Sequence, residues 1–399
     1  MIKKILKSYD YSLILAMLLL CGFGLVMVYS SSMIAAVARW NYESDHFFQR
    51  QAIFIALGLV FFCITMFFPY RAYLNRFFIR SVVLVSILML LALFVFGSIK
   101  GGARGWFSLF GFSLQPAEFV KLSVIIYLAA VYEKKQSYIN HFGRGVLPPI
   151  IFTGFICILI ILQPDIGSAS IIAMIALSMV ICSGLGMKNI FKLIILGAAC
   201  LVAISPLLLL KWDKIFTTER ISRFAGFMDP FADAGDSGFH LINSYYAIAS
   251  GGLTGLGLGE SVQKYGYLPE SHTDFILAII SEELGIFGVL FVLVLLAFIV
   301  LKGFQVARHC EDAFGTLLAI GVSSMIGIQT AINVCGLTGL LPITGVTLPF
   351  ISYGGSSMLL LMLSIGILVN ISMFVKFRAV HQKSDSKPAG ESTGSSATI

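Results

Sequence analysis

Hydrophobic residues in this chain come in long uninterrupted blocks separated by short polar breaks. Ten blocks run approximately Tyr11–Ala36, Phe47–Phe68, Phe78–Phe96, Pro116–Tyr132, Val146–Leu162, Ile166–Gly184, Ile190–Leu210, Phe275–Leu301, Ala313–Cys335 and Val346–Val375. Most hold the roughly 20 residues that ~30 Å of hydrocarbon demands at ~1.5 Å per residue. A helix satisfies its backbone groups internally, so each block predicts a membrane-crossing helix. The expected fold is an all-α integral membrane protein of ten transmembrane helices. The first block is too long for a signal core, and no small-residue cleavage site follows it, so it reads as a span.

Three stretches break the pattern. Residues 211–274 form a long segment rich in charge and glycine between the seventh and eighth predicted helices. A loop of that length is functional or disordered. Its Ile221, Phe224, Phe227, Phe231, Phe239, Ile242, Tyr245 and Tyr246 predict short helices packed back onto the bundle. Between Lys100 and Gln115, glycines mix with Trp106, Phe107, Leu109, Phe110 and Phe112, which reads as a re-entrant or interfacial segment. Beyond Val380 the chain is Ser, Lys, Gly and Thr, the composition of a disordered tail. The layout is one membrane domain over 1–379, carrying the 211–274 extracytoplasmic loop, and a cytoplasmic tail over 380–399.

Composition sharpens this. Of 399 residues, 58% are hydrophobic and 12% charged, against about 25% charged in a soluble domain. The net charge of +7 raises nucleic acid as a partner, but its distribution argues against that. With a cytoplasmic N-terminus, seventeen of the twenty-seven lysines and arginines fall inside, which fixes both termini as cytoplasmic. Trp40, Trp106 and Trp212 fall at outer ends of spans, as an interfacial belt does. The seven cysteines lie in or beside apolar blocks with no C-x-x-C pair, and the six histidines show no metal pattern.

Candidate chemistry is confined to ionisable residues in apolar surroundings. Glu118 and Lys121, three apart in the fourth block, share a helix face. A charge at membrane depth is paired and faces a wet cavity or the bundle interior. The pair either locks two helices or lines a polar cavity for an anionic headgroup. Glu270, His272, Thr273 and Asp274 cluster where the long loop enters the eighth block, with Glu282 about 12 Å further along a helix and Glu283 beside it. Thr273 and Asp274 fit a plain helix N-cap equally well, and His272 alone reads as an exposed loop histidine. Asp165 in Gln163-Pro164-Asp165 reads as a cap. Ser352 lies in Pro349-Phe350-Ile351-Ser352-Tyr353-Gly354-Gly355-Ser356-Ser357, where Gly and Ser allow close helix approach or a local break. Gly251–Gly257 is glycine-rich but lacks the Lys-Ser/Thr of a phosphate loop and reads as turns.

Together these segments resemble the SEDS family (shape, elongation, division and sporulation; FtsW, RodA, SpoVE). The carrying motifs are Gly101-Gly102-Ala103-Arg104-Gly105-Trp106, Gln115-Pro116-Ala117-Glu118-Phe119-Val120-Lys121, Gln163-Pro164-Asp165-Ile166-Gly167, Pro269-Glu270-Ser271-His272-Thr273-Asp274-Phe275 with Glu282-Glu283-Leu284-Gly285, and Pro349 to Ser357. They recur in family order up to about Phe377. The Lys7–Tyr11 and Met27–Ser32 runs look most like division-type members. Leu256 and His240 depart from the pattern, standing where lysine and glutamine are common.

The resemblance implies a peptidoglycan glycosyltransferase that polymerises lipid II at the outer face of the cytoplasmic membrane. It implies work beside a class B penicillin-binding protein transpeptidase, within a divisome or related cell-wall complex. It makes Asp274 the essential loop aspartate, Trp106 the loop tryptophan, and Glu118 with Lys121 the intramembrane pair. A carboxylate base at the acceptor hydroxyl suits single-displacement inversion, and contributes about 10²–10⁴ in rate. The leaving pyrophosphate would lean on Arg104, Arg220, Arg223 or Lys121, or on a divalent cation such as Mg or Mn. No protein metal site is expected. Rival readings are a lipid II flippase, against which stand the one-sided polar cluster and the lack of an inverted repeat, and a non-catalytic scaffold for a partner synthase.

Overall fold

The computed structural model describes residues 2–100, 103–109, 112–210, 218–232, 235 and 238–385. Trp212 and residues 386–399 of the tail lie outside the described residues, as do the side chains of Arg220 and Arg223. Helix α1 (Ile2–Ser8) leads into α2 (Tyr11–Trp40), α3 (His46–Phe67) and α4 (Arg76–Phe96). After three short strands come α5 (Pro116–Lys134), α6 (Leu147–Ile161), α7 (Ile166–Cys182) and α8 (Met187–Leu210). Within the long loop stand α9 (Thr218–Met228) and α10 (Phe239–Gly251). The chain closes with α11 (Ile276–His309), α12 (Ala313–Leu337) and α13 (Gly355–Asp385), the last running past Val380 into the stretch read as tail.

Among the described residues, seven helices are long and apolar enough to cross a membrane: Tyr11–Trp40, His46–Phe67, Arg76–Phe96, Phe142–Ile161, Ile276–His309, Ala313–Leu337 and Gly355–Ala379. The chain is therefore a multi-pass membrane protein. Leu84, Leu88, Val95 and Phe96 on α4, and Phe287, Leu290 and Val294 on α11, are exposed apolar side chains. No water-soluble surface displays such rows, but hydrocarbon accepts them. By contrast α12 and α13 are mostly buried at the centre, with Gly321 closely packed on Ile125 of α5 and Gly303 on Ser323.

The fold is not purely α-helical. The segment read as re-entrant is an antiparallel sheet of β1 (Ser98–Lys100), β2 (Ala103–Leu109) and β3 (Phe112–Leu114), in that order. Ser98 faces Trp106 and Phe107 faces Leu114. Aromatic residues favour strands.

The eighth apolar block holds the other departure. Gly285, inside α11, has φ 63° and ψ −160°, so the helix is two helices joined at a break. Only glycine adopts such a backbone readily. The helical bonds lost there are remade by the loop after α10: Leu256 N–H donates to the Glu282 carbonyl, Gly257 N–H to Glu283, and Ile286 N–H to Gly252. Neighbours on α2 meet both ends of the preceding segment. The Ser30 hydroxyl donates to Glu283, and the Ser31 carbonyl accepts from Ser271.

Candidate active site

Asp274 was expected either as an N-cap or as chemistry. The helix begins at Ile276 with Phe275, not Asp274, in the cap position. Thr273 does not cap it either, because its hydroxyl donates to the Glu270 carboxylate at 2.7 Å. The Asp274 backbone sits in a bracket of three donors. The His272 carbonyl accepts from Tyr353 N–H at 2.9 Å, the Thr273 carbonyl from the Ser352 hydroxyl at 2.6 Å, and the Asp274 carbonyl from Asn333 Nδ2 at 2.8 Å. Ser352 also accepts from Leu348 N–H, closing its own loop around the bracket.

The half-exposed Asp274 carboxylate lies over Gly345, where even a Cβ would stand only 3.6 Å from Oδ2. Gly345 holds φ 72°, a backbone that favours glycine. The loop 339–354 also carries Thr344, whose carbonyl presses on Gly167 at the start of α7. In this way the Gln163–Gly167 motif and Asp274 meet through two adjacent residues. Asp165 caps α7 by accepting from Ser168 N–H at 2.9 Å, and also accepts from Gln115 Nε2 at 3.2 Å. Gln115 N–H donates in turn to Ser356 at the start of α13. Four of the sequence motifs thus form one connected shelf.

Arg104 and Trp106 reach this shelf through the sheet. Arg104 N–H donates to the Gln163 carbonyl at 3.1 Å, while its guanidinium, largely exposed, touches the Phe94 carbonyl. Trp106 is half-buried, its carbonyl held by Ser98. Glu118 and Lys121 form a 2.8 Å ion pair one to two turns inside α5, both buried.

His272 is not an exposed loop histidine: it is 3% exposed. Phe47, Trp40 and Tyr353 surround its ring, with centroids 4.5 to 5.7 Å away. Burial pushes its pKa down to about 4, with Glu270 opposing and Arg39 adding to the shift, so the imidazole is neutral. It packs the loop rather than presenting a charge.

Glu282 and Glu283 are fully buried and engaged. Glu282 accepts from Val262 N–H at 3.0 Å and from the Ser261 hydroxyl. Glu283 pairs with Lys264 at 2.8 Å and accepts twice from Ser30. Sequence reasoning missed Lys264, which reads as one more loop cation. It also missed Asn333, whose signal was an amide in an apolar span near its outer end. Ser261, expected on an open loop, is wholly buried against Glu282. Among the described residues, no three His, Cys, Asp or Glu side chains gather as a metal site.

A family model described as cell cycle protein (FtsW, RodA, SpoVE) matches residues 11–377. The chain is 60% identical over 385 residues to "Probable peptidoglycan glycosyltransferase FtsW" of Bacillus subtilis (strain 168), covering 96% of each. It is 36% identical over 373 residues to "Stage V sporulation protein E" of the same organism, covering 93% of this chain and 98% of that one. Its fold matches a solved structure described under "Structural coordination of polymerization and crosslinking by a peptidoglycan synthase complex", with a TM-score of 0.71 at 23% identity, over 92% of this chain and 98% of that one. Matched along nearly its whole length by the family model and by these relatives, the chain belongs to the FtsW/RodA/SpoVE family of cell cycle proteins.

Proposed function

We propose that this protein is a peptidoglycan glycosyltransferase that polymerises lipid II at the outer face of the cytoplasmic membrane, with Asp274 as its general base. The observation that carries this reading is the chain-long 60% identity to a relative named for that activity. The site's geometry is consistent with it. Asp274 is held by its backbone, and its partly exposed carboxylate lies beside Gly345. The carboxylate takes the proton of the acceptor sugar hydroxyl as that oxygen attacks the anomeric carbon of the donor. The pyrophosphate leaves from the opposite side, turning an α-linked donor into a β-linked product.

Among the candidate counter-charges, Lys121 is the weakest. Its ammonium is buried and closed on Glu118, so the pair supports the shelf from beneath. Arg104 stands exposed at the shelf's edge, and Arg220 and Arg223 belong to the helix of the adjoining loop. A magnesium or manganese ion would find fewer than three acidic or histidine ligands in one place among the described residues, so no step is routed through one. In this reading ten helices span the cytoplasmic membrane, α5, α7 and α8 joining the seven long apolar helices named above, with both termini inside. The partner is a class B penicillin-binding protein transpeptidase in a division or related cell-wall complex.

Glycan polymerisation from lipid II by the purified protein tests the proposal. Asp274→Asn preserves size but accepts no proton at neutral pH, and should lower the rate by about 10²-fold or more while leaving the thermal melt unchanged. Near wild-type polymerisation by that folded variant would remove Asp274 from the chemistry.

A further inference from the structure

We infer that Asn333 is the positioning residue of Asp274: one side-chain amide on α12 sets both the backbone of the base and the loop facing its carboxylate. The inference rests on the reading of Asp274 as the base. Asn333 Nδ2 donates to the Asp274 carbonyl and to the Val346 carbonyl, each at 2.8 Å. Both partners are carbonyl oxygens, so the amide orientation is fixed by chemistry: only the NH₂ end can face them. Val346 follows Gly345, the residue over which the Asp274 carboxylate lies. A single planar group therefore fixes the spacing between the base and the wall of its pocket.

Two further observations favour positioning over generic packing. Asn333 is 5% exposed, and its Oδ1 is buried without a hydrogen-bond partner among the described residues. An unpaired buried acceptor is a liability that leucine at this position would not carry. Its presence is accounted for by what Nδ2 holds. The other two donors of the bracket, Ser352 and Tyr353 N–H, both come from the approach to α13. Asn333 ties the Asp274 backbone to α12, a helix mostly buried along its length. Without it, residues 272–273 keep their bonds to Ser352 and Tyr353, but the Asp274 and Val346 carbonyls lose their shared donor. A displacement of about 1 Å at a reacting group costs on the order of 10²-fold in rate.

The test is steady-state polymerisation by full-length protein reconstituted in liposomes with lipid II. Asn333→Leu keeps the volume and removes both bonds. It should lower kcat at least tenfold, leave KM for lipid II within about twofold, and lower the thermal melt without preventing folding, since two carbonyls lose their donor. Asn333→Gln, which keeps the donor on a longer arm, should recover part of kcat. Should the leucine variant fail to accumulate, the isosteric Asn333→Asp carries the same expectation, since a carboxylate repels both carbonyls. Full kcat in a folded Asn333→Leu or Asn333→Asp protein overturns the inference. So does a loss confined to KM and melting temperature with no recovery by glutamine. The two readings fail separately: active Asp274→Asn removes the base, whereas inactive Asp274→Asn beside active Asn333→Leu removes only the role of Asn333.

Discussion

Lys264→Met should destabilise this protein more than any exposed charge change, because it strands a carboxylate in the interior. Lys264 and Glu283 are each 0% exposed and 2.8 Å apart. The Lys264 ammonium also donates to the Gly259 carbonyl at 2.6 Å and to Ser30 at 3.3 Å, and Ser30 donates to Glu283. A surface ion pair contributes at most about 1 kcal/mol. Removing one partner of a buried pair costs about 3–5 kcal/mol, since the remaining charge has lost its partner and cannot recover its water. That corresponds to about 10²–10⁴-fold in the folded-to-unfolded ratio. Glu283→Gln in the same protein neutralises the stranded group and still accepts from Ser30. The double variant should regain roughly 2 kcal/mol or more over Lys264→Met, a coupling that only contacting residues show. The assay is thermal unfolding of detergent-purified protein at one scan rate for wild type, both single variants and the double. A cost below about 1 kcal/mol for Lys264→Met, or simple additivity in the double, would refute the buried-pair argument.

Lys121→Ala should lower both accumulation and polymerisation for the same reason, by about 3–5 kcal/mol of stability, and exchanging Glu118 with Lys121 should restore part of it; a stable, fully active Lys121→Ala protein would contradict this. His272 has a folded pKa below its unfolded value of 6.5, so the unfolded chain binds the proton first. Stability should hold above pH 6.5 and decline as pH falls from 6.5 toward 4. His272→Phe should flatten that decline, and parallel melt-against-pH curves for the two proteins would exclude the assignment. Glu260 is exposed on the loop that packs against Gly285; a cysteine there should react with an impermeant maleimide on intact cells. Labelling only after permeabilisation would invert the topology.

Helix positions were legible because hydrocarbon thickness imposes one block length, and Pro116 at the first turn marked the start of α5. The Glu118–Lys121 pair followed from i,i+3 spacing, and the Asp165 cap from its turn. The strands at Ser98–Leu114 escaped because aromatic and glycine mixtures serve interfacial loops and hairpins equally. Asp274 stands out in the sequence, but the groups that hold its segment come from residues 59 to 79 positions away. No local pattern encodes such contacts. Lys264 looked solvent-bound for the same reason, since its partner lies across the fold.

The break at Gly285 also constrains the order in which the chain can assemble. The carbonyls of Glu282 and Glu283 take hydrogen bonds from Leu256 and Gly257, outside their own helix. Backbone carbonyls left unpaired in an apolar setting cost several kcal/mol each. The broken helix therefore cannot settle as an independent insertion unit; it reaches its final shape only with the 252–257 turn already docked. Synthesis delivers that turn first, some thirty residues ahead of the break. An export machinery that holds the loop back on the wrong side of the bilayer would leave Asp274 translated but never assembled.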